Sequence, residues 1–137
     1  MISRLKADLK FKDLVALLPI RNRFEEIKRF EASFAKLAGQ SHAIFFPYGR
    51  TAQLAVMNAL NLIKKGKTEV ILPSYTCVVV AHAIKKAGLT PVFVDVGDDY
   101  NMRIDLLFEA TNNKTGAIIA TSIFGHPVDL EALDSYS

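Results

Sequence analysis

From His42 onward one pattern recurs along the chain: a short apolar run, a glycine or proline turn, then a helical stretch. The runs are Ala43 to Phe46, Glu69 to Leu72, Pro91 to Val96 and Gly116 to Thr121, all rich in β-branched or aromatic residues and short enough to be buried strands. Between them Thr51 to Lys65, Thr76 to Ala87 and Arg103 to Thr111 read as helices. Lys64, Lys65 and Gly66 end the first, and Lys85, Lys86 and Gly88 end the second, since cations suit a helix C-terminus and glycine the turn beyond it. Strands apolar on both faces and alternating with helices require a parallel sheet covered on both sides. The fold class is therefore α/β: N-terminal helices followed by the alternating strands and helices of a mostly parallel sheet.

Ahead of this pattern the spacing predicts a helix over Phe24 to Ala38, ended by Gly39. Phe24, Ile27, Phe30, Phe34 and Leu37 step by three or four and share one face. Residues 1–20 carry a weaker helical pattern, with Lys6, Lys10 and Lys12 among leucines. A basic helix on an anionic membrane surface is one reading. A helix docked on protein is favoured, because Asp8 and Asp13 dilute the charge. The expected division is an N-terminal helical segment, 1–41, and an α/β segment, 42–137.

Composition narrows the function. The 137 residues hold 17 Lys+Arg against 14 Asp+Glu, and a net charge of +3 without a basic block does not suit a nucleic-acid binder. A single cysteine, Cys77, excludes a disulfide framework and most cysteine-based metal sites. No apolar stretch approaches the ~20 residues of a spanning helix. The run Leu14 to Ile20 contains Pro19 and lacks a small-residue cleavage site, so a secretory signal is not expected. The expectation is a cytoplasmic protein.

The segment most suggestive of chemistry is AIFFPYGRTAQLAVMNAL, Ala43 to Leu60. A strand ends at Phe46, Pro47-Tyr48-Gly49 turns the chain, and a helix begins near Arg50 or Thr51. Helix N-termini offer unpaired N–H groups and the positive end of the dipole. Gly49 lets a backbone approach an anion, the Arg50 guanidinium matches phosphate oxygens, and Thr51 adds a hydroxyl. That makes a phosphate cup at the carboxyl end of a strand, where open α/β sheets bind ligands. A turn in which Thr51 merely caps its own helix explains the same residues equally well.

Other candidates are weaker. Gly66-Lys67-Thr68 imitates the end of a P-loop, but Asn61 stands where the first glycine belongs and the segment runs from helix into strand. Asp95, Asp98 and Asp99 fail the EF-hand spacing and read as a solvated turn. Cys77 lacks a well-placed histidine, since His82 lies one residue past a helical turn.

Three stretches resemble, in order and spacing, the N-terminal part of the DegT/StrS-type sugar aminotransferases, pyridoxal-phosphate (PLP) enzymes of fold type I. They are FEASFAKLAGQSHAIFFPYGRTAQLAVMNAL, EVILPSYTCVVVAHAIKKAGLTPVFVDV and TGAIIATSIFGHPVDLEAL. The resemblance implies that Gly49, Arg50 and Thr51 bind the cofactor phosphate, with Arg50 where threonine is common. It implies that Cys77 occupies the place of the aromatic that usually stacks on the pyridine ring, a contact cysteine cannot make. Ser122, Ile123, Phe124 and Gly125 correspond to the family's His-x-Tyr-Gly stretch, so that histidine is absent, and His126 just after it is not assumed to replace it. In the family the pyridine-nitrogen aspartate and the Schiff-base lysine lie beyond the equivalent of Ser137. Lys64, Lys65, Lys85 and Lys86 are expected to be solvated at helix ends and do not replace that lysine.

The resemblance thus implies the first third of an enzyme that moves an amino group from a donor such as glutamate to a nucleotide-linked keto-sugar, working as a homodimer or larger assembly. Some relatives dehydrate instead. Alone, this chain is expected to be inactive, with no catalytic residue of its own, and to expose apolar sheet edges. Two alternatives remain. One is a non-catalytic α/β assembly or membrane-surface module using residues 1–20. The other is a phosphate-ligand binder without transfer chemistry.

Overall fold

The computed structural model describes residues 10–11 and 23–134. The helix expected over 1–20 lies outside these residues apart from Lys10 and Phe11. The chain separates into two compact units, divided between Phe45 and Phe46. In the first, helix α1 spans Arg23–Leu37 and is followed by Gly39 at φ 64°, the left-handed conformation that glycine adopts without strain. The Phe45 N–H donates to Glu31 Oε1 at 2.7 Å, and the Phe45 ring meets Phe30 edge-on at 5.6 Å. The returning chain is thereby tied to α1.

The second unit runs α2 (Gly49–Ile63), β1 (Glu69–Pro73), α3 (Val78–Lys86), β2 (Thr90–Val94), α4 (Ile104–Ala110), β3 (Thr115–Ile118) and α5 (Leu130–Asp134). Its three strands form a sheet in the order β2-β1-β3, with both pairings parallel. One expected strand is absent. Ala43 to Phe46 joins no sheet among the described residues. Its aliphatic and aromatic residues favour extended backbone, but strand formation needs a hydrogen-bonded neighbouring strand, and the described residues supply none to this segment.

Central β1 explains the two-sided apolar run. Val70 and Leu72 point to one face and Ile71 to the other, and all three are 0 % exposed. The first face packs with Met57 of α2, Val80 and Ile84 of α3, and Leu89. The second packs with Val94, Met102 and Leu107 of α4. Burying each such side chain contributes about 1.5–3 kcal/mol. That burial also explains why the β-branched run Val78-Val79-Val80 is helical: Val80, Ala83 and Ile84 are buried together, which outweighs a helix-propensity cost of a few tenths of a kcal/mol per residue. Because α3 and α4 cover opposite faces, the connections leaving β1 and β2 diverge at their carboxyl ends. In open α/β sheets that divergence opens a ligand crevice.

Candidate cofactor-phosphate site

The turn before α2 does not follow a strand, as its sequence reading expected, because Ala43 to Phe46 joins no sheet among the described residues, and its cap differs as well. Tyr48, extended at φ −141° and ψ 140°, is the N-cap, and its side chain makes no capping hydrogen bond. Gly49 is already helical. Thr51 therefore sits in the third helical position and does not cap the helix. Its N–H and that of Ala52 both donate to the Tyr48 carbonyl, at 3.0 and 3.2 Å. Among the described residues no hydrogen bond is made by the Gly49 and Arg50 N–H groups or by the Thr51 hydroxyl. A Cβ at Gly49 would meet nothing within 4 Å, so open space lies beside it.

Arg50 completes the electrostatics. Its guanidinium carbon lies 4.5 Å from the Tyr48 ring centroid, a cation–π contact that steadies the charge without neutralising it. The described residues give it no carboxylate partner. Arg50 and Thr51 also line a groove of ≈ 260 Å³ with Leu54 and with Val79, His82, Ala83 and Lys86 of α3. This groove carries nitrogen bases and no acid.

Cys77 is exposed and is the N-cap of α3, at φ −65° and ψ 129°, with no side-chain capping bond. It thus stands at the start of the helix that packs on α2, but no hydrogen bond of the described residues joins it to Gly49–Thr51. Beside it the Thr76 and Thr121 hydroxyls lie 3.4 Å apart, linking the loops that leave β1 and β3. The lysines considered as Schiff-base candidates lie at helix ends: Lys64 is the C-cap of α2, and Lys85 and Lys86 form the last turn of α3. All four, with Lys65, are exposed.

Around the same sheet end the acidic residues build loops. Asp95 Oδ1 accepts from the Ser74 hydroxyl at 3.0 Å and the Val96 N–H at 3.2 Å. Asp99 accepts from the Asn101 N–H at 3.1 Å and from its amide at 3.0 Å, and these bonds hold the carboxyl below the usual aspartate range. Among the described residues no three His, Cys, Asp or Glu side chains are grouped to hold a metal. Sequence reasoning did not find the ring cluster that Tyr75, Tyr100 and Phe124 form here. Each ring follows a different strand, and nothing in their spacing announces that they meet.

A profile of the DegT/DnrJ/EryC1/StrS aminotransferase family matches residues 14–137. The chain belongs to that family. It is 32% identical over 114 residues to the GDP-4-keto-6-deoxy-D-mannose 3-dehydratase of Yersinia pseudotuberculosis, covering 80% of this chain and 29% of the relative. It is 33% identical over 115 residues to the GDP-perosamine synthase of Escherichia coli O157:H7, covering 83% and 31%. Among solved structures, Streptomyces venezuelae DesV in complex with a ketimine intermediate superimposes with a TM-score of 0.70 at 31% identity, over 80% of this chain and 29% of that one. Helicobacter pylori PseC, at 23% identity, shares the fold with a TM-score of 0.81 over 93% and 36%. The chain thus spans about a third of the length of these relatives. The fold is the fold-type-I α/β fold, and the family's cofactor is PLP.

The α2 turn fits the ester phosphate of that cofactor: among the described residues it has two N–H groups and a hydroxyl without partners, open space beside a glycine, and a cation with no carboxylate partner. Gly49, Arg50 and Thr51 would hold it. When bound, PLP supplies the electron sink for amino-group chemistry.

Proposed function

We propose that this chain is the N-terminal part of a PLP-dependent enzyme acting on nucleotide-linked keto-sugars, and that its contribution is the cofactor-phosphate cup at the start of α2. In this reading 1–41 is an N-terminal helical segment and 42–137 is the first part of the PLP-binding large domain. The supporting observation is the donor turn of α2, free of any internal cap and flanked by Arg50. The chain's own residues bind and orient: Gly49 and Arg50 present backbone donors, Arg50 balances the phosphate charge, and Thr51 adds a hydroxyl. Cys77, in the place of the family's stacking aromatic, leaves that wall of the ring site thin. Amino transfer, from a donor such as glutamate, and the role within a homodimer or larger cytoplasmic assembly belong to the same proposal. Among the described residues no helix is long and apolar enough to cross a membrane.

PLP binding followed by borohydride reduction tests it. The chain should bind PLP reversibly, Arg50→Ala should weaken binding of both PLP and inorganic phosphate about tenfold, and reduction should leave no stoichiometric adduct at a single lysine. A single-site adduct would overturn the claim that this chain lacks its own Schiff-base lysine. Equal phosphate affinity in the Arg50→Ala protein would remove the cup.

A further inference from the structure

The loops leaving the three strands converge on a corner of aromatic rings that the phosphate cup does not use. Tyr75 follows β1, Tyr100 follows β2 and Phe124 follows β3. Their ring centroids are 5.5 Å apart for Tyr75–Tyr100, 6.0 Å for Tyr75–Phe124 and 5.0 Å for Tyr100–Phe124. Tyr100 and Phe124 meet at 76°, so one ring offers a face where the other offers an edge. Despite this mutual packing the three remain 49%, 48% and 60% exposed. They stand at the end of the sheet where the β1 and β2 connections diverge.

Two features show that the corner is built. Tyr100 has φ 63°, a left-handed conformation uncommon for a bulky residue and associated with functional sites where the surroundings enforce it. The enforcement comes from Asn101, 8% exposed, whose amide donates to Asp99 Oδ2 at 3.0 Å and to the Pro127 carbonyl at 3.1 Å. One side chain therefore pins the Tyr100 loop to the Phe124 loop. Tyr100 and Phe124 line an open hollow of ≈ 690 Å³ together with Asp98, Asp99 and His126. Asp99 is committed to Asn101, whereas the Asp98 carboxylate has no hydrogen-bond partner among the described residues. Exposed ring faces beside a free carboxylate match a flat ligand whose edge carries N–H donors.

We propose that the Tyr75–Tyr100–Phe124 corner seats the heteroaromatic base of a nucleotide ligand, with Asp98 accepting from N–H groups on the base edge. That the ligand is a nucleotide rests on the function proposed above; the seat itself rests on the rings, the Asn101 clamp and Asp98. Purines and pyrimidines stack on aromatic side chains whatever their sequence identity, and a carboxylate then favours guanine, with adjacent N1–H and N2–H donors, over adenine.

Saturation-transfer NMR with guanosine 5′-monophosphate tests the seat, with adenosine 5′-monophosphate and ribose 5-phosphate as controls, on the whole chain. The expected result is saturation strongest at guanine H8, a dissociation constant on the order of 1 mM, and no transfer to ribose 5-phosphate. Tyr100→Ala should weaken binding about tenfold. Phe124→Leu, which keeps an apolar side chain and so guards against mere unfolding, should weaken it in the same direction, and Asp98→Asn should abolish the preference for guanine over adenine. Saturation spread evenly over base and ribose, or affinity unchanged in both ring variants, would overturn the seat. PLP binding measured on the same samples separates the two claims. If PLP binds and the base does not, this inference fails and the cofactor reading stands. If the base binds at the rings and PLP does not bind, the seat stands and the cofactor reading fails.

Discussion

Gly116 lies where the pairing of β1 with β3 shifts register, between Glu69↔Thr115 and Val70↔Ala117. A Cβ added there would sit 2.9 Å from Lys67 Cβ and 3.3 Å from Leu60 Cδ2, so either the α2–β1 connection or β3 must move. Gly116→Ala is expected to lower stability by about 1–3 kcal/mol, seen as a lower urea midpoint with an unchanged slope. The Asn101 clamp makes a different single-residue prediction. The Asp99 carboxyl is depressed chiefly by the Asn101 N–H and amide, then aided weakly by His126. A carboxyl lowered by folding contributes stability that is fully present above the unfolded value of about 3.9 and is lost as pH falls through the folded one. The Tyr100 and Pro127 NMR signals should therefore shift together below about pH 4. Asn101→Ala should abolish that coupling, and an unchanged acid profile would refute the clamp.

At the scale of elements, β1 and α2 show what the sequence could and could not reveal. Strand β1 was legible because a run buried on both faces has no polar alternation to hide it, and Leu72→Ala should cost about 2–5 kcal/mol by chemical denaturation. Helices α1 to α4 fall within two residues of their expected bounds, and for α1 to α3 glycine and lysine mark the ends. The Ala43–Phe46 run misled because side-chain type signals extension, whereas pairing depends on a neighbour that local sequence does not encode. The α2 turn was legible as a helix start, but not that Tyr48 would be the cap or would lie under Arg50. The ring corner was illegible because three loops from three strands must first be brought together by the sheet. An uncapped α2 also implies a trade-off. Tyr48→Asp supplies a side-chain acceptor and should raise thermal stability by about 1 kcal/mol, while its negative charge and occupied donors should weaken inorganic-phosphate binding severalfold. Thermal melts and phosphate titration of the same variant read both signs.

At the scale of the whole molecule, the two outer edges of the sheet are unlike. Thr90 N donates to Thr68 O, and Val94 O accepts from Ser74 N, so by alternation Pro91 turns its missing N–H away from β1. Proline in that position cannot pair with an incoming strand, and β2 is a natural terminus for the sheet. On the opposite side Ile119 N donates to Ile71 O, which leaves Ile118 and Ala120 facing outward. From Thr115 to Phe124 there is neither a charge nor a proline to blunt this edge. The 137-residue chain should therefore self-associate through β3 and not through β2, with sedimentation velocity showing larger species as concentration rises. Ala120→Pro removes an outward N–H without touching the buried Ile71 cluster, and should return the chain toward monomer at unchanged helix content. A phosphate-binding defect is not expected, because the α2 turn lies on a different element. Association that survives Ala120→Pro, or that is abolished by a charged replacement of exposed Phe93 on β2, would assign the sticky edge to the wrong strand.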